Sequence, residues 1–100
     1  MDIQLKKGIL ELLVLATLKR GDSYGYLINQ ALGEVVSISE STLYPILRRL
    51  ESQGLVTTYE TIHNSRLRRY FRLSDNGKGK LQDAHLMFAE LQKMTDYILR

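Results

Sequence analysis

The sequence predicts a mainly α-helical domain that carries one small β-hairpin. Four segments place apolar residues at the three- and four-residue spacing of an amphipathic helix. Between the third and fourth of these lie two short runs, one rich in β-branched residues and one that alternates. The chain has 100 residues, of which 44% are hydrophobic and 25% are charged, and this composition is typical of a single soluble domain.

The first helix is predicted over residues 5–19, and its apolar residues extend most of the way round it. A helix of this kind must be covered on nearly all sides, which one small domain cannot do alone. We therefore expect one face to pack in the domain core and another to contact a second copy of the chain. Gly21 suits the left-handed position that ends such a helix.

Two shorter helices are predicted next, over residues 23–33 and about 39–53. Ser23 is the expected N-cap of the second helix, and Ser39 is that of the third. Ser39 places Ile38 and Leu43 where they form a hydrophobic staple. Two helices joined by a short connector are a helix-turn-helix candidate.

Pro45, the only proline, lies in the second turn of the third helix. It removes one helical hydrogen bond and leaves the carbonyl of Ser41 free. A broken local rule of this kind marks a functional site, or else a bend that suits the packing.

A β-hairpin is predicted from two strands, residues 55–62 and 67–73, with a polar turn at 63–66. Residues 61–73 carry four arginines and no acidic residue, which is a local charge of +4 against a net charge of +3 for the whole chain. This segment is either a contact for an anionic partner or a solvated arginine-rich strand. A hairpin directly after the second helix of a helix-turn-helix is a wing, which reaches DNA beside the helix in the major groove.

The last helix is predicted over residues 75–99, with Ser74 as its N-cap. Its apolar stripe continues for almost five turns through Leu81, Ala84, Phe88, Leu91, Met94 and Ile98. A helix this long extends beyond a domain of this size, so we expect its far half to pack on a partner chain.

In four places the sequence resembles the PadR family of transcriptional regulators. The matching blocks are residues 8–15 (GILELLVL), Gly25-Tyr26, residues 41–51 (STLYPILRRLE) with Gly54-Leu55, and residues 68–74 (RRYFRLS) with Gly77. The wing tip lacks the Gly-Arg-Pro that is frequent in the family. The resemblance implies a winged helix-turn-helix DNA-binding domain over residues 1–74 and a dimerisation helix over 75–100, with helix 5–19 shared by the dimer interface. It also implies a cytoplasmic, homodimeric, ligand-responsive repressor on a palindromic operator.

The candidate site residues follow from the resemblance and from the outer faces of the elements. The expected DNA contacts are Ser41, Thr42, Tyr44, Arg48 and Arg49 on the recognition helix, Asn64, Ser65, Arg66 and Arg68 on the wing, and Ser23 and Tyr26 at the second helix. The expected dimer contacts are Leu5, Ile9, Leu12, Phe88, Leu91, Met94 and Ile98. Tyr44 either bonds a phosphate or braces its helix, and Arg69 can pack instead of binding DNA because it shares a face with Phe71.

An effector site is a weaker prediction. Met87, Phe88, Met94 and Tyr97 either line a pocket for a small molecule or form dimer core, and dimer core is favoured. The chain has no tryptophan to serve as a stacking platform.

Several other functions are excluded or disfavoured. The two histidines lack spaced carboxylate or thiolate partners, so no metal site is expected, and neither is a cofactor. No Ser-His-Asp or paired-carboxylate constellation appears, so we do not expect an enzyme. No apolar run reaches the ~20 residues that span a membrane. The alternative function is a winged-helix adaptor that binds proteins rather than DNA, and the basic wing beside a basic recognition helix argues against it.

Overall fold

A computed structural model describes residues 1–100 as four helices and a three-stranded antiparallel sheet. In chain order the elements are α1 (Ile3–Lys19), β1 (Ser23–Tyr24), α2 (Gly25–Leu32), α3 (Glu40–Ser52), β2 (Val56–His63), β3 (Arg66–Leu73) and α4 (Asp75–Ile98). The predicted mainly α fold with a hairpin is confirmed. None of the four helices is long and apolar enough to cross a bilayer.

The helices begin where a side-chain oxygen can satisfy a free backbone amide. The predicted caps Ser39 and Ser74 are confirmed: Ser39 accepts from the amide of Thr42 and Ser74 from that of Gly77. Asp2 accepts from the amide of Leu5 and starts α1 earlier than the apolar pattern predicted.

The prediction for Ser23 as a helix cap is wrong. Ser23 and Tyr24 form the short strand β1, which pairs with Phe71 and Tyr70 of β3, so the sheet order is β1-β3-β2. Helix α2 therefore begins two residues later than predicted, and no side chain caps it. The extended backbone is favoured here because β3 offers it a ladder of hydrogen bonds, which the local sequence does not reveal.

The hairpin turn is tighter than predicted. Asn64 and Ser65 form it alone, with φ angles of 50° and 63°, while His63 and Arg66 are the last paired residues of the two strands. Two consecutive positive φ angles are typical of the type I′ turn that matches the twist of a hairpin.

The core lies where α1, α2, α3 and the base of the hairpin meet. Val14, Leu15, Ile28, Leu43 and Leu50 are fully buried there. Most of α4 lies outside this core, because Gly77 and Ala84 are the only buried residues of its 24. The predicted stripe on α4 is left open to solvent in a single chain, with Phe88 43% and Ile98 75% exposed.

Candidate nucleic-acid interface

One edge of α3 faces solvent and carries all five residues predicted for the recognition surface. Leu43, Leu47 and Leu50 hold the opposite edge in the core. Because helical side chains repeat every 3.6 residues, the opposite side of the helix is exposed. The exposed residues there include Ser41, Thr42, Tyr44, Arg48 and Arg49.

The first turn of α3 carries a cluster of three hydroxyl groups. The Ser39 hydroxyl oxygen lies 2.8 Å from that of Ser41 and 3.1 Å from that of Thr42. The same Ser39 oxygen accepts the amide of Thr42 at 3.3 Å. Ser41 and Thr42 are therefore oriented by the cap but remain exposed, each able to donate to or accept from a further partner.

Tyr44 packs against the start of α2. A β-carbon at Gly25 would lie 2.7 Å from the Tyr44 hydroxyl oxygen and 3.0 Å from its ring, so a larger residue at position 25 would displace the end of this side chain. The tyrosine is still 40% exposed. Its hydroxyl thus lies where the first amides of α2 have no side-chain cap. The bracing contact expected as one role of Tyr44 is present, and phosphate binding stays a prediction.

The arginines divide into paired and unpaired side chains. Arg49 Nε lies 2.9 Å from Glu11 Oε1, and Arg69 Nη2 lies 2.9 Å from Glu51 Oε1. Arg48 and Arg66 form no ion pair and stay exposed. Arg48 and Arg66 are therefore available to an anionic partner, since binding them breaks no ion pair.

Arg69 also donates to the hydroxyl of Thr58 at 3.3 Å, and Thr58 in turn donates to Glu51. Arg69 therefore links the hairpin to the end of α3, which agrees with the expectation that Arg69 can pack instead of binding DNA.

A stack of aromatic and arginine side chains covers the other face of the hairpin. The rings of Tyr59 and Tyr70 are stacked at 5.5 Å, and Tyr24 meets Tyr70 edge-on at 5.4 Å. Arg68 lies over the Tyr24 ring at 4.0 Å, and Arg72 lies over Tyr59 at 5.0 Å. Cation–π contacts of this kind hold a guanidinium in place without neutralising it, so Arg68 is positioned but still charged.

Asp22 anchors one end of this stack. It accepts from the Tyr59 hydroxyl at 2.7 Å and from Arg72 Nε at 3.0 Å. The hydrogen bond to Asp22 raises the pKa of the Tyr59 hydroxyl above its ordinary value. That hydroxyl therefore stays protonated and keeps donating at neutral pH.

A cleft of about 310 Å³ lies where α2, α3 and β3 meet. Four predicted contact residues line it together, namely Tyr26, Tyr44, Arg48 and Arg68. The Tyr26 hydroxyl accepts from Gln30 at 2.9 Å. Ser23 is half-buried in β1, and Asn64, Ser65 and Arg66 lie apart at the end of the hairpin.

The four residues predicted for an effector site, Met87, Phe88, Met94 and Tyr97, are all exposed along α4. Of these, Met87 lines an open cleft against Leu12 of α1. A pocket among the four would need a second chain to close it, so this site stays a prediction.

Comparison with known proteins gives a consistent result. Residues 14–83 match the transcriptional regulator PadR-like family. The structure of a Streptococcus mutans UA159 protein is 40% identical, with a TM-score of 0.80 over 89% of this chain and 84% of that one. A PadR family transcriptional regulator from Eggerthella lenta is 34% identical, with a TM-score of 0.85 over 98% of this chain and 88% of that one.

Bacillus subtilis PadR, solved in complex with operator DNA, is 31% identical, with a TM-score of 0.70. The match covers 75% of this chain and 44% of PadR, so this chain spans less than half of that protein. The same protein is described as a negative transcriptional regulator.

Proposed function

Because the chain belongs to the PadR-like family of transcriptional regulators, which are not enzymes, we propose that it is a homodimeric repressor that binds a palindromic operator. The observation that carries the proposal is the exposed edge of α3, where the unpaired Arg48 lies in one cleft with Arg68 of the wing. An arginine on a recognition helix can bind the O6 and N7 atoms of guanine with two hydrogen bonds.

The remaining contacts are assigned by reach. Ser41 and Thr42, in the first turn of α3, are short enough for base edges or phosphates. Arg49 is expected on the same surface, although its Nε atom is paired with Glu11. The wing would contact the DNA backbone beside the groove through Asn64, Ser65, Arg66 and Arg68. At the uncapped start of α2, a phosphate would be approached by Ser23 and Tyr26.

The dimer is supported by the apolar surface that one chain leaves uncovered. Leu5 of α1 and Phe88, Leu91, Met94 and Ile98 of α4 are exposed, and Ile9 and Leu12 are half-buried. Burying such a stripe between two chains gains about 25 cal/mol per Å² of apolar surface. A two-fold axis would then place two copies of α3 in successive major grooves about 34 Å apart.

Ligand response and cytoplasmic location complete the proposal. The description of Bacillus subtilis PadR as a negative regulator supports repression. A repressor must reach the promoter on the chromosome, which is why we propose a cytoplasmic location. Methionines adapt to varied ligands, so Met87 and Met94 would line an effector pocket if the dimer encloses one. If it does not, they belong to the dimer core.

Selection of bound sequences from random double-stranded DNA tests the proposal. The expected result is an enriched palindrome whose half-site centres lie about one helical turn, or a multiple of it, apart. Loss of all retention at low salt would contradict DNA binding and favour the protein-binding adaptor. Enrichment of a single half-site would contradict the dimer.

Arginine substitutions separate base recognition from backbone contact. Arg48→Ala is expected to weaken operator binding by about 1–3 kcal/mol and to weaken binding to scrambled DNA much less. Arg66→Ala is expected to weaken both and to flatten the salt dependence of the binding constant by about one unit of slope. Fluorescence anisotropy at several salt concentrations measures both effects. Equal losses on the two DNAs for Arg48→Ala would contradict its assignment to base readout.

Tyr44 and Gly25 test the contact at the start of α2. Gly25→Ala pushes the exposed end of Tyr44 aside, so we expect little loss of stability. DNA binding should become about tenfold weaker, because the Tyr44 hydroxyl would lose its hydrogen bond to a charged phosphate. Tyr44→Phe keeps the ring and removes only the hydroxyl. A similar loss for Tyr44→Phe supports phosphate binding, whereas unchanged affinity would show that Tyr44 only braces the helix.

A further inference from the structure

Glu11 of α1 is the only charged side chain that the fold buries. Its side chain is 12% exposed, and its Oε1 atom lies 2.9 Å from Nε of Arg49 on the recognition helix. The Arg49 side chain is 64% exposed and has no other ion-pair partner. A buried carboxylate is costly unless a cation pairs with it, so Arg49 has an internal task that holds it toward α1.

Pro45 interrupts the backbone hydrogen bonds of α3 one turn before Arg49. A proline cannot donate a backbone hydrogen bond, so α3 lacks the bond that would join residue 45 to the carbonyl of Ser41. The first turn of α3 is held separately, by the Ser39 cap and by the contact of Tyr44 with Gly25. Leu47 and Leu50 hold the part of the helix after Pro45 in the core. Arg49, which lies one turn after Pro45, adds the ion pair that joins this part to α1.

Glu11 lies on the helix that also contacts α4. Its neighbour Leu12 lines a cleft with Ala84 and Met87 of α4, while Glu11 itself lines a cleft of about 650 Å³ with Ser41, Thr42 and Pro45 of α3. Helix α1 thus lies between the proposed dimer helix and the proposed DNA-reading helix, and the ion pair is its charged contact with α3.

We propose that Glu11 and Arg49 are positioning residues: their ion pair fixes the part of α3 that follows Pro45 against α1 and so sets the angle at which the recognition surface meets the operator. Arg49 is not a phosphate contact in this assignment. The inference rests on the proposed function, since it concerns how the DNA-reading helix is held.

The test compares Glu11→Gln, Arg49→Gln and the double variant with the wild-type protein. Glu11→Gln is nearly isosteric. Each single change removes one charge and so removes the same ion pair. Residues in one ion-pair network are energetically coupled, so we expect each single variant to bind the operator about tenfold more weakly. The double variant should be no weaker than the singles, and binding to scrambled DNA should be nearly unchanged.

The salt dependence distinguishes positioning from contact with DNA. If Arg49 only positions α3, Arg49→Gln leaves the slope of the operator binding constant against salt unchanged. A slope reduced by about one unit, together with unchanged or tighter binding by Glu11→Gln, would show a released phosphate contact and overturn the proposal. Lys78→Gln is the matched control, because it removes one cation from an exposed ion pair with Asp75 at 3.8 Å within α4.

Circular dichroism at the binding temperature confirms that each variant is folded. Lower melting temperatures with unchanged operator selectivity would overturn the proposal, because the pair would then stabilise the fold without orienting α3. If the wild-type protein itself selects no operator from random DNA, the proposed function fails and the positioning role fails with it. If the wild type selects a palindrome and all variants select it equally well, only the positioning role fails.

Discussion

Replacing Gly77 with alanine is expected to destabilise the protein by about 2–3 kcal/mol, because the new methyl group has no space. A β-carbon at this position would collide with the backbone carbonyl of Leu55 and with a methyl group of Leu73. The Leu55 carbonyl already accepts the amide of Ser74 at 3.1 Å, and Ser74 donates to the Gly54 carbonyl at 2.6 Å. The backbone is therefore held on both sides of the overlap and cannot move away cheaply.

Gly79→Ala is the control for this change. It lies two residues along the same helix, and a β-carbon there meets nothing within 4 Å. Alanine is the better helix former, so this variant should be more stable than the wild type by up to about 1 kcal/mol. Urea unfolding at one fixed protein concentration measures both, since dimer stability depends on concentration. Equal stability of the two variants would contradict the close packing of Gly77 on Leu55.

The second large effect is expected at the exposed stripe of α4. The double substitution Phe88→Glu with Leu91→Glu places two charges on the surface that we assign to the dimer. The chain should become a monomer, and its affinity for a full palindrome should fall by 100-fold or more, since the two half-sites would no longer be bound by one molecule. Sedimentation velocity and anisotropy with full and half operators measure the two effects.

The structure supplies a matched control on the same helix. Leu86 is 66% exposed, but at roughly 100° per residue it lies on the side of α4 opposite to Phe88. Leu86→Glu should leave both the dimer and operator binding unchanged. A double variant that stays dimeric and binds the palindrome tightly would show that the chains associate through another surface. Because Phe88 and Leu91 lie outside the core, the fold should survive the change.

Much of the fold could be predicted because its elements are encoded locally. The apolar spacing of α3 and the caps Ser39 and Ser74 lie within a few residues of the backbone that they shape. The alternation of the hairpin strands is equally local, so the sequence predicts correctly which side chains share a face of the hairpin. The turn is one residue pair shorter than predicted, because His63 pairs with Arg66. The exposed edge of α3 follows from the same spacing, which is why its five candidates all reach solvent.

The contacts that organise the candidate site could not be predicted in this way. Asp22 binds Arg72 from 50 residues away, and Tyr59 from 37 residues away. Such partners meet only because the chain folds back, and no sequence spacing marks them. A signal did exist for Glu11, an acidic residue inside the apolar run of α1, since a buried charge requires a partner.

The sequence by itself determined the four helices, the hairpin, the concentration of charge in the wing and the resemblance to PadR regulators, because periodicity, caps and motifs act over short distances. The tertiary structure alone decided which arginines are free. Arg49, Arg69 and Arg72 are paired with carboxylates from distant elements, whereas Arg48 and Arg66 are not. The physical reason is that an ion pair depends on the distance between two atoms in space, which a distance along the chain does not fix.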